Sequence, residues 1–179
     1  MKKIGFIGIG LMGFPMSKNI LKSGYKLRAF NRSLIKAKAL EKFGAEIKQT
    51  VGELVKGSDV IITMLTDDKA VNEVTSSANF TDNLEPGAIV IDMSSIKPNT
   101  AKMHEKNLSL KKVKYLDAPV SGGTVGAEEG SLAIMVGGEN KVFKEVKDLL
   151  KTMGNPTLVG PVGSGQVSKL ANQIIVGLT

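Results

Sequence analysis

Segments that favour strands alternate with segments that favour helices along most of the chain. Apolar runs rich in β-branched residues predict strands at Lys3–Ile9, Tyr25–Phe30, Asp59–Leu65, Ala88–Met93, Lys114–Asp117, Leu132–Val136 and Thr157–Val159. Helix-period spacing predicts helices at Leu11–Ser23, Leu34–Phe43, Val51–Lys56, Lys69–Ser76, Asn99–Leu110, Lys141–Lys151 and Gln166–Thr179. Because parallel strands need helical crossovers, this alternation predicts an α/β fold. We expect a doubly wound, mostly parallel sheet with helices on both faces.

The residue types that the 179-residue chain lacks exclude several chemistries. There is no Cys, and therefore no thiol nucleophile, disulfide or Cys-based metal site. A single histidine, His104, excludes a two-His zinc site, so we predict no metal site. His104 lies in the polar segment Asn99–Leu110, which predicts a solvated histidine on a surface helix. Catalysis would therefore use a carboxylate, a lysine, a hydroxyl or a cofactor.

Charge and hydropathy limit the partners. The chain has 24 Lys and Arg against 17 Asp and Glu, a formal net charge of +7. These basic residues are scattered and only 4% of residues are aromatic, whereas nucleic-acid surfaces cluster both types. No apolar run reaches the roughly 18–20 residues that span a bilayer, and Met1-Lys2-Lys3 leads directly into the first strand. We expect a soluble, cytoplasmic protein with neither a nucleic-acid nor a membrane partner.

A glycine motif directly follows the first predicted strand. Gly8-Ile9-Gly10-Leu11-Met12-Gly13 has the spacing G-x-G-x-x-G and opens the next helix. In that setting the first glycine permits a tight turn, the second lets the backbone approach a pyrophosphate, and the third lets helix and strand pack closely. We therefore predict a Rossmann-like dinucleotide site at the helix N-terminus. Its residues are Gly8, Gly10, Leu11, Met12 and Gly13.

The residues after the second predicted strand indicate which dinucleotide binds. An NAD-preferring site places Asp or Glu there, to bind the ribose 2′-hydroxyl. This chain has Asn31-Arg32-Ser33. Arg32 can bind a 2′-phosphate in bidentate fashion, while Asn31 and Ser33 donate further hydrogen bonds. We predict NADP as the cofactor, with NADPH preferred over NADH; the alternative is an exposed arginine without a ligand.

Two later motifs indicate where a substrate could bind. Within the segment Asp117–Gly123, the Ser121 hydroxyl and the backbone N–H groups of Gly122 and Gly123 suit a small carboxylate, although a plain turn has the same composition. In the last predicted helix, a polar face opposes an apolar one and carries Lys169, Asn172, Gln173 and Val176. A lysine partly desolvated beside a cofactor has a lowered pKa and can donate a proton near neutral pH. On a solvated face it is only a surface charge.

The last predicted helix reaches the end of the sequence without a stop signal. Its apolar face consists of Val167, Leu170, Ala171, Ile174, Ile175 and Leu178. We expect a dinucleotide-binding domain over residues 1–163 and the start of a long interdomain helix over residues 164–179. The pattern indicates the first part of a longer protein.

Taken in order, these motifs resemble the β-hydroxyacid dehydrogenase family, and the resemblance covers the whole chain. Its motifs are the Gly8–Gly13 segment, Asp92-Met93-Ser94-Ser95 with Pro98, Asp117–Gly123 and Gly163–Gln173. The resemblance implies that Met64, Leu65 and Ser95 line the nicotinamide half of the cofactor. It also implies that Lys169 is the catalytic lysine, and that the substrate carboxylate is bound by Ser121, Gly122 and Gly123.

Within the family, the segments Asp92–Ile96 and Lys169–Val176 most resemble the tartronate semialdehyde reductases. Many relatives have Asn four residues after the lysine, where this chain has Gln173 and, one position earlier, Asn172; either amide could contact the substrate. The resemblance implies NADPH-dependent reduction of a short semialdehyde acid, first of all tartronate semialdehyde to glycerate, with Lys169 as the proton donor. The alternatives are 3-hydroxyisobutyrate dehydrogenase and glyoxylate/succinic semialdehyde reductase activities.

The resemblance further implies an all-helical C-terminal domain, absent from this sequence, that covers the cleft and forms a homodimer or tetramer. Two other functions stay open at this point. A dinucleotide-binding module without catalysis would need neither Lys169 nor Ser121. A decarboxylating dehydrogenase of the 6-phosphogluconate type resembles the fold, but it has histidines near and after the lysine, whereas the one histidine here is His104.

Overall fold

The computed structural model describes residues 2–178, and side-chain burial over residues 2–176. The strands are β1 (Lys3–Ile7), β2 (Lys26–Phe30), β3 (Glu46–Ile47), β4 (Val60–Thr63), β5 (Ile89–Asp92), β6 (Lys114–Asp117), β7 (Val120–Ser121), β8 (Leu132–Gly137) and β9 (Gly154–Gly160). The helices are α1 (Gly13–Lys22), α2 (Leu34–Lys38), α3 (Val51–Val55), α4 (Asp68–Thr75), α5 (Ala78–Thr81), α6 (Pro98–Ser109), α7 (Gly123–Glu129), α8 (Asn140–Lys151) and α9 (Ser164–Leu178). A short 3-10 helix covers Glu41–Phe43.

All these strands form one sheet in the order β3-β2-β1-β4-β5-β6-β8-β7, and β9 pairs with β8. The strands from β3 to β6 in that order pair in parallel. By contrast, β8 is antiparallel to both β6 and β7, and parallel to β9. The predicted doubly wound, mostly parallel α/β sheet is confirmed. Its chain reversal, between β1 and β4, is where folds of this kind bind ligands.

The central strands are buried on both faces, as their continuous apolar runs predict. Along β1, Ile4 and Phe6 belong to one buried cluster, whereas Ile7 belongs to a second cluster on the opposite face. Along β4, Ile62 and Ile61 divide between the two clusters in the same way. Helices therefore cover both faces, and a ligand can approach the sheet at the strand ends.

The elements that sequence patterns missed are all short. Strands β3 and β7 contain two residues each, and α5 contains four. Helix α7 begins at Gly123, the second of two glycines, in a stretch for which the sequence patterns predicted no helix because glycine disfavours one. The single helix predicted over Leu34–Phe43 is instead α2 followed by the 3-10 helix.

The prediction of a solvated His104 is wrong. Its side chain is only 2% exposed, and Nδ1 lies 3.2 Å from Thr75 Oγ1. Together with Ala101 and Leu108 it forms the buried face of α6. Because only two residues of that face are apolar, the sequence pattern did not indicate that the face is buried. Burial lowers the pKa of His104, so the ring is held neutral in the core.

No helix within residues 2–178 is both long and apolar enough to cross a membrane.

Candidate active site

The glycine turn after β1 has a geometry that requires glycine at two of its three positions. Gly8 has a φ of +102°, and a Cβ there would lie 2.2 Å from the Met64 carbonyl oxygen. At Gly13 a Cβ would lie 1.9 Å from the Gly8 carbonyl oxygen. At Gly10, in contrast, a Cβ would meet nothing within 4 Å. The outer glycines therefore shape the turn, and Gly10 leaves open space in front of it.

The N-terminus of α1 has free hydrogen-bond donors. Within residues 2–178, the backbone N–H groups of Gly10, Leu11 and Met12 donate no hydrogen bond. No side chain caps the helix, and its first turn has no acidic residue. These N–H groups and the positive end of the helix dipole suit the phosphates of a dinucleotide.

A cleft of about 330 Å³ opens beside this turn, between the ends of β1, β2 and β4. Its lining includes two cationic side chains, Arg32 and Lys36; the sequence prediction had included only Arg32. Arg32 is exposed and forms no ion pair within the described residues. The carboxylate in the lining, Glu73, lies 3.9 Å from Lys69. The predicted residues brought together here are Gly8, Gly10, Asn31, Arg32, Ser33, Met64 and Leu65.

Asn31 shapes the cleft through both ends of its amide. Its Oδ1 accepts a hydrogen bond from the Ile9 N–H at 2.9 Å, and its Nδ2 donates to the Ser33 carbonyl oxygen at 3.0 Å. The side chain thus ties the end of β2 to the glycine turn. One of its two Nδ2 hydrogens is thereby used within the protein, and the cationic side chains in the lining beside it are Arg32 and Lys36.

Four other predicted cofactor residues lie outside this cleft. Leu11 is 85% exposed and lines a groove of about 550 Å³ along α1 that adjoins the cleft at Gly10 and Lys36. Met12 packs against the core and Gly13 is buried in the turn. Ser95 is exposed, whereas its neighbour Ser94 is buried.

The predicted substrate residues meet where β7 faces α9. Asn172 Nδ2 donates a hydrogen bond to Ser121 Oγ at 3.0 Å. Gln173 is exposed to solvent. Gly122 and Gly123, with φ of +130° and +61°, turn the chain from β7 into α7 and are exposed beside Ser121. Of the two amides that the sequence left open, the structure brings Asn172 to the predicted pocket.

Lys169 lies one helical turn before Asn172, on the same face of α9. Its side chain is half-buried, and within the described residues its ammonium group forms no ion pair. Burial lowers the pKa of Lys169 below its usual 10.5, because the charged form loses hydration. A lysine in this state can give up a proton more readily than a surface lysine.

The start of α9 is anchored by a buried carboxylate that extends from the end of β6. Asp117 Oδ1 accepts from the Gly163 N–H at 2.7 Å, and Oδ2 accepts from the Gln166 N–H at 2.9 Å. A Cβ on Gly165 would lie 2.8 Å from Asp117 Oδ2, so this glycine leaves the space that the carboxylate fills. Burial raises the pKa of Asp117, although the N–H groups oppose the shift. Asp117 thereby fixes the position of the helix that carries Lys169.

A second buried carboxylate organises the end of β5. Asp92 Oδ1 accepts from Thr63 Oγ1 at 2.9 Å and from the Ser94 N–H at 3.0 Å, while Oδ2 has no hydrogen-bond partner within the described residues. Burial raises the pKa of Asp92 to about 6. The sequence motif gives no signal for this role, since Thr63 comes from a different strand.

Comparison with known proteins shows that the chain matches a family of NAD-binding domains. The family described as the NAD binding domain of 6-phosphogluconate dehydrogenase matches residues 3–164. The chain is similar to 2-hydroxy-3-oxopropionate reductase of Escherichia coli K12, with 43% identity over 178 residues, covering 98% of this chain and 61% of the relative. The chain therefore spans less than two thirds of that relative's length.

Two solved structures are similar to this fold. One is Mycobacterium tuberculosis 3-hydroxyisobutyrate dehydrogenase with L-serine, at a TM-score of 0.94 and 31% identity, covering 98% of this chain and 60% of that one. The other is an imine reductase from Myxococcus stipitatus in complex with NADP+, at a TM-score of 0.88 and 25% identity, covering 98% and 61%. With the glycine turn, the cleft and the matched family together, the chain belongs to the β-hydroxyacid dehydrogenase family and comprises its NAD(P)-binding domain.

Proposed function

We propose that the protein reduces a short semialdehyde acid with NADPH, and that tartronate semialdehyde, which gives glycerate, is its first candidate substrate. The observation that carries the proposal is the hydrogen bond between Asn172 and Ser121. It joins the predicted carboxylate pocket to the face of α9 that carries Lys169. The predicted carboxylate pocket and the predicted proton donor therefore belong to two elements that contact each other.

The residues present fit a dinucleotide with a 2′-phosphate. The free N–H groups at the start of α1 suit its pyrophosphate, and the open space at Gly10 lets the backbone approach it. At the ribose end, Arg32 and Lys36 present positive charge where an NAD-preferring site has a carboxylate. A structural relative is bound to NADP+. These features support a preference for NADPH over NADH.

The chain's own residues supply binding and a proton. When bound, the nicotinamide cofactor supplies a hydride. Ser121 Oγ and the N–H groups of Gly122 and Gly123 bind the substrate carboxylate. Lys169 Nζ donates a proton to the carbonyl oxygen as the aldehyde becomes an alcohol, and its positive charge stabilises the negative charge that develops on that oxygen. The lysine then recovers its proton from solvent.

The choice of substrate is supported by similarity to a protein named 2-hydroxy-3-oxopropionate reductase. Similarity to a 3-hydroxyisobutyrate dehydrogenase supports the alternative that the substrate carries a methyl branch. Glyoxylate/succinic semialdehyde reduction remains a third possibility of the same class. A binding module without catalysis would leave Lys169 and its lowered pKa without a role.

We also propose that residues 1–163 form the cofactor domain and residues 164–179 the start of an interdomain helix. Val167, Leu170 and Ile174 on α9 are 56%, 53% and 65% exposed, and apolar side chains grouped in this way usually pack against further protein. The homodimer or tetramer and the cytoplasmic location remain predictions.

The experiment that tests the proposal is an NADPH-oxidation assay on the full-length gene product. Tartronate semialdehyde, succinic semialdehyde, glyoxylate and methylmalonate semialdehyde are compared, each with NADPH and with NADH. We expect the highest kcat/KM with tartronate semialdehyde and NADPH. Tight NADPH binding without turnover of any of the four substrates would reject the proposed reductase activity. It would instead favour a dinucleotide-binding module without catalysis.

A further inference from the structure

A buried hydrogen-bond chain joins the cofactor cleft to the helix that carries Lys169. At the cleft, the Leu65 N–H donates to Ser94 Oγ at 2.9 Å. On the other side of Ser94, its carbonyl oxygen accepts from Gln166 Nε2 at 2.9 Å, and the Ile96 N–H donates to Gln166 Oε1 at 3.1 Å. Gln166 thus uses both ends of its amide on the loop after β5.

The backbone of Gln166 is held from a different strand. Its N–H donates to Asp117 Oδ2, in the anchor at the end of β6 described above. Gln166 is 1% exposed and lies three residues before Lys169, so both residues lie on the same side of α9. A displacement of Gln166 would therefore displace Lys169 as well.

We propose that Gln166 is a positioning residue that sets the location of Lys169 relative to the cofactor cleft. This inference rests on the proposed function, in which Lys169 donates the proton. Gln166 faces a carbonyl oxygen at one end and an N–H group at the other, so its position requires one donor and one acceptor. The exact position of Lys169 matters, because a misplacement of a catalytic group by about 1 Å can lower a rate about 100-fold.

Two substitutions separate positioning from general stability. Gln166→Leu removes both hydrogen bonds and keeps a similar volume. Gln166→Glu satisfies both partners when the carboxyl group is protonated, but when ionised it places a carboxylate against the Ser94 carbonyl oxygen. Activity of Gln166→Glu should therefore approach that of the wild type at low pH and decline, relative to the wild type, as pH rises. Gln49→Leu, at an exposed position after the edge strand β3, is the control for the same substitution away from α9.

The first readout is kinetic, on the full-length protein between about pH 6 and pH 9. We expect Gln166→Leu to lower kcat about 10- to 100-fold, while the NADPH Kd stays within about threefold. The inference is overturned if folded Gln166→Leu keeps the wild-type kcat. It is also overturned if Gln166→Glu keeps the wild-type kcat at a pH where its carboxyl group is ionised, or if kcat and NADPH binding fall together.

The second readout does not need turnover. The pH midpoint of acetic anhydride labelling is measured by mass spectrometry for Lys169 and, in the same molecule, for the exposed Lys144. In the wild type the Lys169 midpoint should be lowered by burial, and Gln166→Leu or Gln166→Glu should raise it. An unchanged midpoint in either folded variant contradicts the inference, whereas the expected shift without reduction of any aldehyde rejects only the proposed function.

Discussion

The hydrogen bond of 3.0 Å from Asn172 Nδ2 to Ser121 Oγ joins two segments that lie 51 residues apart in the sequence. It brings the glycine-rich turn after β7 against the helix that carries Lys169. This contact makes Asn172, rather than its neighbour Gln173, the amide that adjoins the predicted carboxylate pocket.

The first prediction compares these two amides. Asn172→Ala removes the contact with Ser121, and we expect the KM for the semialdehyde to rise up to about tenfold, because one hydrogen bond contributes about 0.5–1.5 kcal/mol. Gln173→Ala, one residue along the same helix, should have a smaller effect. Steady-state kinetics of both variants measure the two KM values. A larger KM change for Gln173→Ala would contradict the assignment of Asn172 to the carboxylate pocket.

The second prediction concerns cofactor choice. Arg32→Ala should weaken NADPH binding about 10- to 100-fold, because hydrogen bonds to charged groups contribute about 1.5–3 kcal/mol. NADH affinity should change little, since NADH lacks the 2′-phosphate. Lys38→Ala, on α2 but not in the cleft lining, is the control. Equal losses for both cofactors, measured by isothermal titration calorimetry, would rule out a 2′-phosphate contact.

The third prediction separates the roles of two glycines. Gly10→Ala places a methyl group in open space, so the protein should keep its Tm and lose NADPH affinity about tenfold. Gly13→Ala forces a methyl group against the Gly8 carbonyl oxygen and should cost at least about 1–3 kcal/mol of stability. Thermal unfolding with and without NADPH distinguishes the two. A destabilised Gly10→Ala with normal affinity would be inconsistent with a site in front of the turn.

The fourth prediction concerns the pH dependence of stability. The Asp92 pKa is raised to about 6 in the folded protein, so folding favours its protonated form. The stability that protonated Asp92 contributes is therefore fully present below 3.8, the pKa of this group in the unfolded chain. It is lost as pH rises to about 6, the pKa in the folded protein. Asp92→Asn keeps an acceptor for Thr63 and Ser94 and cannot ionise.

Above pH 6, Asp92→Asn should therefore be more stable than the wild type, by up to about 3 kcal/mol for a shift of this size. The difference between the two proteins should shrink as pH falls toward 4. Urea unfolding across this range measures it, and a constant difference would show that ionisation of Asp92 is not its cause.

The sequence predicted those parts of the molecule that depend on local pattern. The long strands, the glycine turn and the placement of Arg32 and Lys169 follow from periodicity and spacing. His104 was misplaced because burial of a polar helix face depends on what the rest of the chain packs against it. The Gln166–Ser94 contact joins residues 72 positions apart, and the Asn172–Ser121 contact joins residues 51 positions apart. No local pattern encodes such contacts.

The most direct test of the central claim is Lys169→Ala in the full-length protein, with Lys144→Ala as the matched control. Removal of the proton donor should lower kcat about 100- to 10,000-fold, the range for a general acid, while the NADPH Kd stays within about threefold. The wild-type reduction rate should also fall as pH rises through the Lys169 pKa, which burial places below 10.5. An unchanged kcat in Lys169→Ala would contradict the claim that Lys169 donates the proton.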